Sequence, residues 1–167
     1  MATRVLLVAD THVPKRARHL PRELLLTAAE VDLIVHAGDW VDVDVLDGLS
    51  ALAPVLGVWG NNDGAALRAR LPEVARAEID GVRIAVIHET GPAAGREKRM
   101  DATFPDVGLL VFGHSHIPWD TVTPGGLRLL NPGSPTDRRR QPDCTLMTAT
   151  LAGGVVHDVR LRAVSRD

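Results

Sequence analysis

The chain has 167 residues, 45% of them hydrophobic and 24% charged, so it can bury a sizeable core and is too apolar for a disordered polymer. A net charge of −2 gives no global basic field to recruit nucleic acid, and 3% aromatic residues with no tyrosine leave no base-stacking platform. The single cysteine, Cys144, excludes an intrachain disulfide and a thiolate-cluster zinc site, and no run of ~18 apolar residues offers a membrane span.

Residues 5–9 read as a buried strand too short for a signal sequence, so a reducing cytoplasm is the expected setting. Pro21 suits a first helical turn, with Leu24, Leu25 and Ala28 as the apolar face. A second strand over 31–37 ends in Gly38-Asp39. A helix over 44–51 follows, then a strand over 55–59 ended by Gly60-Asn61-Asn62-Asp63. Leu67 and Leu71 mark a short helix stopped at Pro72. This strand–helix–strand alternation predicts a parallel sheet. Residues 74–79 and 82–88 flank Asp80-Gly81, a strong hairpin signal. Residues 89–99 read as a loop and a short helix, and 107–112 as a strand ended by Gly113-His114-Ser115-His116. The remainder, with turns at Gly125-Gly126 and Gly153-Gly154, reads as antiparallel strands. Residues 1–167 are expected to form a single domain of two packed sheets with helices outside.

Metal-ligand residue types gather where apolar runs stop: Asp10-Thr-His12, Gly38-Asp39, Gly60-Asn61-Asn62-Asp63, His88 and Gly113-His-Ser-His116. Ligands of open α/β sheets bind beyond the carboxyl ends of the strands, and glycines there allow sharp turns into a shared cleft. Strand periodicity predicts that Asp10 and His12 point the same way, as do His114 and His116. Two carboxylates, one amide oxygen and four imidazoles exceed what one ion needs, so two ions sharing a carboxylate is the economical reading. Mixed oxygen and nitrogen donors suit Mn first, with Fe, Zn, Ni or Co as alternatives.

The ordered set, completed by Asn131-Pro-Gly-Ser134, resembles the calcineurin-like metallophosphoesterase superfamily in its small bacterial and archaeal phosphodiesterase branch, over nearly the whole chain. The resemblance implies an α/β fold, a four-layer α/β/β/α sandwich of two mixed sheets. It implies one ion on Asp10, His12, Asp39 and His116 and a second on Asp39, Asn61, His88 and His114, with Asp39 bridging. The implied reaction is hydrolysis of a small phosphate ester, a diester first, by in-line attack of a metal-bridging hydroxide. Many members carry histidine where this chain has Asn62. A carboxamide cannot act as a general acid, but it can hydrogen-bond phosphate oxygens, so Asn62 and Asp39 are the catalytic candidates.

The competing expectation is a metal-binding scaffold of the same fold with little activity, as the eukaryotic retromer scaffold subunit resembles this branch yet works through partner surfaces. Every ligand position here is filled, which favours the enzyme. A nuclease is disfavoured by the missing basic face, and a homo-oligomer is an expectation that no motif specifies. Elsewhere Asp63 reads as a helix N-cap or a support for the ligands, and His36 as a buried structural histidine. His19 and His157 read as surface residues, and Trp40 as cleft wall or core. Arg96, Lys98 and Arg99 read as a solvated helix face, in preference to groups that reach a substrate phosphate from the loop after His88, and Arg138 to Arg140 as a solvated loop. The turn at Asn131 is expected to shape the rim of the site.

Overall fold

A computed structural model describes residues 1–165. Strands β1 (Ala2–Val8), β2 (Leu33–His36) and β3 (Val55–Gly57) run parallel, joined through helices α1 (Arg22–Glu30) and α2 (Val43–Ser50). The alternation in the sequence has this origin, since parallel neighbours need a crossover of a dozen or more residues. Asp42 opens α2 by accepting the Asp44 N–H at 2.9 Å. Helix α3 (Ala65–Arg70) leads into a hairpin of β4 (Val74–Ile79) and β5 (Val82–Ile87). Its turn residues Asp80 and Gly81 both have positive φ, as a two-residue type I′ turn demands.

Helix α4 (Arg96–Thr103) and strands β6 (Leu109–Val111), β7 (Trp119–Val122), β8 (Arg128–Asn131), β9 (Cys144–Ala152) and β10 (Val155–Val164) complete the fold. One sheet has the order β10-β9-β1-β2-β3 and the other β4-β5-β6-β8-β7. Both are mixed. β8 departs from the expected antiparallel remainder, because it pairs with β6 in parallel and with β7 antiparallel. That slot buries Leu129 and Leu130, and it carries Asn131 to the same end as the other strand termini.

β1 is apolar on consecutive residues because it is covered on both faces. Val5 and Leu7 pack into the layer between the sheets, with Ile84 and Val111 opposite. Leu6 and Val8 pack beneath α1 and α2, with Leu24 and Leu46. A third apolar layer places Met100 and Phe104 over Leu110 and Leu129. Each such fully buried side chain contributes about 1.5–3 kcal/mol of transfer free energy. Helix, sheet, sheet and helix therefore stack as expected, and the strand ends that carry the polar clusters meet along one rim. Among the described residues no helix is long and apolar enough to cross a membrane.

Candidate metal centre

The loops after β1, β2 and β3 and those after β5 and β6 bring all seven expected ligands together. Asp10 and His12 do point into one cleft, but not through strand periodicity. β1 ends at Val8, and Asp10, His12, Asp39, Val41, His114 and His116 all adopt left-handed backbone, with φ from 44° to 81°. Such conformations are costly for residues with a Cβ and cluster where function requires them. They persist here because the backbone is tied down. Asp10 N–H donates to Gly38 O at 2.9 Å and His12 N–H to Asp39 O at 3.1 Å. Ser134 Oγ donates to Asp10 O at 2.7 Å, so the turn at Asn131 supports the first ligand loop from below.

Glycine is required at two close approaches. A Cβ on Gly60 would run into Asp39 Oδ1, and one on Gly113 would lie 2.8 Å from Ala9 Cβ and 2.9 Å from Asp10 Oδ2.

Asp10, His12 and His116 form one group and Asp39, His88 and His114 another, the donor atoms in each lying within 4.8 Å of one another. In the first group, Asp10 Oδ1 is 3.7 Å from His12 Nε2 and 3.6 Å from His116 Nε2. These three atoms are buried and lack any hydrogen-bond partner. Polar atoms left so cost about 1–3 kcal/mol each, and native structures rarely leave them without reason. One divalent cation would satisfy all three, since donors ~2.0–2.2 Å from a shared ion are spaced this way. Asp39 Oδ2 stands between the groups, 3.5 Å from His12 Nε2 and 3.3 Å from His88 Nε2. Asn61 Oδ1 completes the second group at 2.9 Å from His88 Nε2 and 3.1 Å from His114 Nδ1.

The imidazoles are pre-set as ligands. His88 Nδ1 donates to Ala37 O at 2.7 Å and His116 Nδ1 to Asp137 O at 2.6 Å. A carbonyl only accepts, so each neutral ring presents its lone pair at Nε2, toward the carboxylates. Burial lowers the His116 pKa. Burial also opposes protonation of His88, but Asp39 and Asp10 outweigh it and raise that pKa. For Asp39, burial is outweighed by His88 and by the N–H groups of Asn62, which hold the carboxyl well below the usual carboxylate range.

Of the two readings of Asp63, the helix cap is excluded: α3 starts from Gly64 without a side-chain cap. The Asp63 carboxylate instead accepts N–H groups of Asp39, Val41 and Gly60 at 2.9, 2.7 and 2.8 Å, bracing two ligand loops against each other. Arg96 is not on a solvated face. It is 6% exposed, with its guanidinium 4.8 Å from the Phe112 ring and 4.4 Å from that of Trp119. Arg99 binds the carbonyls of Thr90, Ala94 and Pro92, while Lys98 is exposed.

Asn62 grips the shared ligand, giving its backbone N–H to Asp39 Oδ1 at 2.9 Å and its side-chain amide to Oδ2 at 2.8 Å. Trp40 belongs to the core, donating to Val58 O and stacked at 3.5 Å on His36. His36 is fully buried and accepts the Gly38 N–H, so it bonds Thr11 through its other nitrogen. His19 and His157 lie at the surface. Arg138 to Arg140 are exposed as expected, although Arg139 reaches back to His114 O at 3.4 Å. Sequence reasoning missed Glu89, whose carboxylate sits 3.7 Å from His114 Nε2 at the cleft mouth. Its place directly after a strand-end histidine was the available signal.

The two donor groups, set side by side at one rim of the sandwich, suit divalent cations. Residues 3–154 match the calcineurin-like phosphoesterase superfamily domain, and the chain belongs to that superfamily. It is 39% identical over 133 residues to a probable metallophosphoesterase of Methanocaldococcus jannaschii, covering 77% of this chain and 66% of that relative's length. Its fold is shared by vacuolar protein sorting 29 of Cryptosporidium parvum, with a TM-score of 0.79, 21% identity and 98% of each chain covered. The fold also matches a novel archaeal phosphodiesterase, with a TM-score of 0.74, 18% identity, and 96% of this chain and 99% of that one covered.

Proposed function

We propose that this protein hydrolyses phosphodiesters with two divalent cations, manganese first and Fe, Zn, Ni or Co as alternatives. One would rest on Asp10, His12, His116 and Asp39, the other on Asp39, Asn61, His88 and His114. The observation that carries the reading is the convergence of three partnerless buried donor atoms on Asp10, His12 and His116, with Asp39 beside them. When bound, the ions supply an acidified water and a Lewis-acid clamp for phosphoryl oxygens. The chain's own part is orientation. Asp39 stays ionised through neutral pH, His88 and His116 are fixed in one tautomer, and Asn62 secures both oxygens of Asp39. With its amide so engaged, Asn62 positions the shared carboxylate and donates no proton to a leaving group.

The test is hydrolysis of bis(p-nitrophenyl) phosphate beside p-nitrophenyl phosphate by metal-stripped protein with Mn added back. Diester turnover should return with Mn and fall at least ~100-fold in Asp39→Ala, as a vital metal or electrostatic contact would. The likeness in fold to vacuolar protein sorting 29 supports a second reading, a metal-binding scaffold with protein partners. Two ions bound without turnover of either ester would favour it.

A further inference from the structure

A cleft of about 600 Å³ opens beside the second metal-ligand group, with Asn61 and His88 in its lining. Its floor is apolar: Ile87 at the end of β5, and Met100 and Phe104 from α4 and just beyond it, the latter two 5% and 4% exposed. One wall is the half-buried Trp59. Above that ring lies the Arg68 guanidinium, 4.0 Å from the centroid, anchored by its Nε–H to Asp63 O at 2.8 Å. Arg99 also lines the cleft, its guanidinium taken up by the carbonyls of Thr90 and Pro92.

The chemistry of this lining selects its occupant. Arg68 and Arg99 line the cleft together with Glu73 and Glu89, two positive and two negative groups, so the lining offers no net positive charge to a second phosphate. A flexible polar chain would desolvate against Ile87, Met100 and Phe104 for no return. A flat aromatic ring, by contrast, buries apolar surface against the partly exposed Ile87 and Trp59, whose ring is already covered by Arg68 on one side. A phosphorus atom placed at the metal-ligand groups leaves an ester oxygen free to extend past Asn61 and His88 into the cleft. We propose that this cleft is the subsite for one ester group of the substrate and that it takes a planar aromatic ring, an aryl or nucleobase-bearing group. The proposal rests on the phosphodiesterase reading for what happens at phosphorus, and on the cleft alone for what is bound.

The experiment separates the two. Isothermal titration calorimetry of Mn-loaded protein compares phenylphosphonate with methylphosphonate, which share the phosphonate head and cannot be hydrolysed as esters. Wild type should bind the phenyl compound roughly ten-fold more tightly, the gain expected of one aromatic stacking contact. Thr103→Gln and Val74→Gln, both at exposed positions on the cleft rim, lay a neutral amide over the apolar lining without touching a proposed ligand. Each should abolish the preference while methylphosphonate binding stays as in wild type. Equal binding of the two compounds by wild type, or an undiminished preference in both variants, overturns the subsite. In parallel, kcat/KM is measured for p-nitrophenyl phenyl phosphate and p-nitrophenyl methyl phosphate, which lose the same leaving group. A ten-fold preference for the phenyl diester, lost in the variants, supports the proposal. No turnover of either, with the binding preference intact, defeats the phosphodiesterase reading and leaves the subsite standing.

Discussion

The Asp63 carboxylate lies 3% exposed and receives three backbone N–H groups from two different loops. Asp63 is not among the proposed ligands and bonds only backbone N–H groups, yet it sets where Asp39 and Gly60 sit. Asp63→Ala would strand three donors in a buried turn, each worth about 1–3 kcal/mol when left unpaired, with partial rescue by water. Asp63→Ala is expected to destabilise the fold by about 3 kcal/mol, a fall of roughly 6–12 °C in Tm by calorimetry. Mn affinity should drop about 10–100-fold, as for other residues that orient metal ligands. Asp63→Asn keeps an acceptor oxygen and should lose less. A Tm within 2 °C of wild type in Asp63→Ala would mean that the loops hold their shape without it.

At the level of elements, strand ends and the turns behind them are the units that matter. Gly60 and Gly81 offer a matched comparison. Gly60 backs directly onto Asp39, whereas Gly81 is a left-handed turn residue far from the centre, facing the backbone of Gly154. Gly60→Ala should therefore weaken Mn binding strongly. Gly81→Ala should cost about 1–2 kcal/mol of stability with unchanged affinity. Equal affinities in the two variants would contradict the close packing at Asp39. The strands themselves were legible, because uninterrupted apolar runs such as Val5 to Val8 report burial on both faces, and several were closed by a cluster of polar, metal-ligand residue types. The convergence of the candidate ligands was legible for the same reason. Long-range consequences were not. Asp63 sits where a cap belongs, and nothing local reveals acceptance from residues 22 to 24 positions earlier. A charged Arg96 reads as solvated until β6 and β7 bring Phe112 and Trp119 against it. The Gly125-Gly126 turn announces a hairpin but cannot say which neighbour β8 will find on its other side.

For the whole molecule, ions that bind only the folded state must raise its stability by mass action. Metal-stripped protein should gain about 2.7 kcal/mol when Mn is present at a hundred times its Kd, seen as a concentration-dependent rise in Tm. Asp39→Ala should show little of that rise, and an equal rise in both proteins would place the ions elsewhere. The division of the proposed ligands gives this linkage a direction. Asp10, His12, Asp39 and Asn61 leave the sheet built on β1, β2 and β3, whereas His88, His114 and His116 leave the other. At the opposite rim the sheets are tied by hydrogen bonds, with Gly154 N–H donating to Asp80 O at 2.8 Å and Thr3 Oγ1 to Asp80 Oδ2 at 2.5 Å. At the ligand rim hydrogen bonds also cross between the sheets, from His88 Nδ1 to Ala37 O and from Ser134 Oγ to Asp10 O, so the proposed ions would reinforce a seam that is already sewn at both edges. Metal loss would then slacken the ligand loops while the apolar layer between the sheets keeps the sandwich closed.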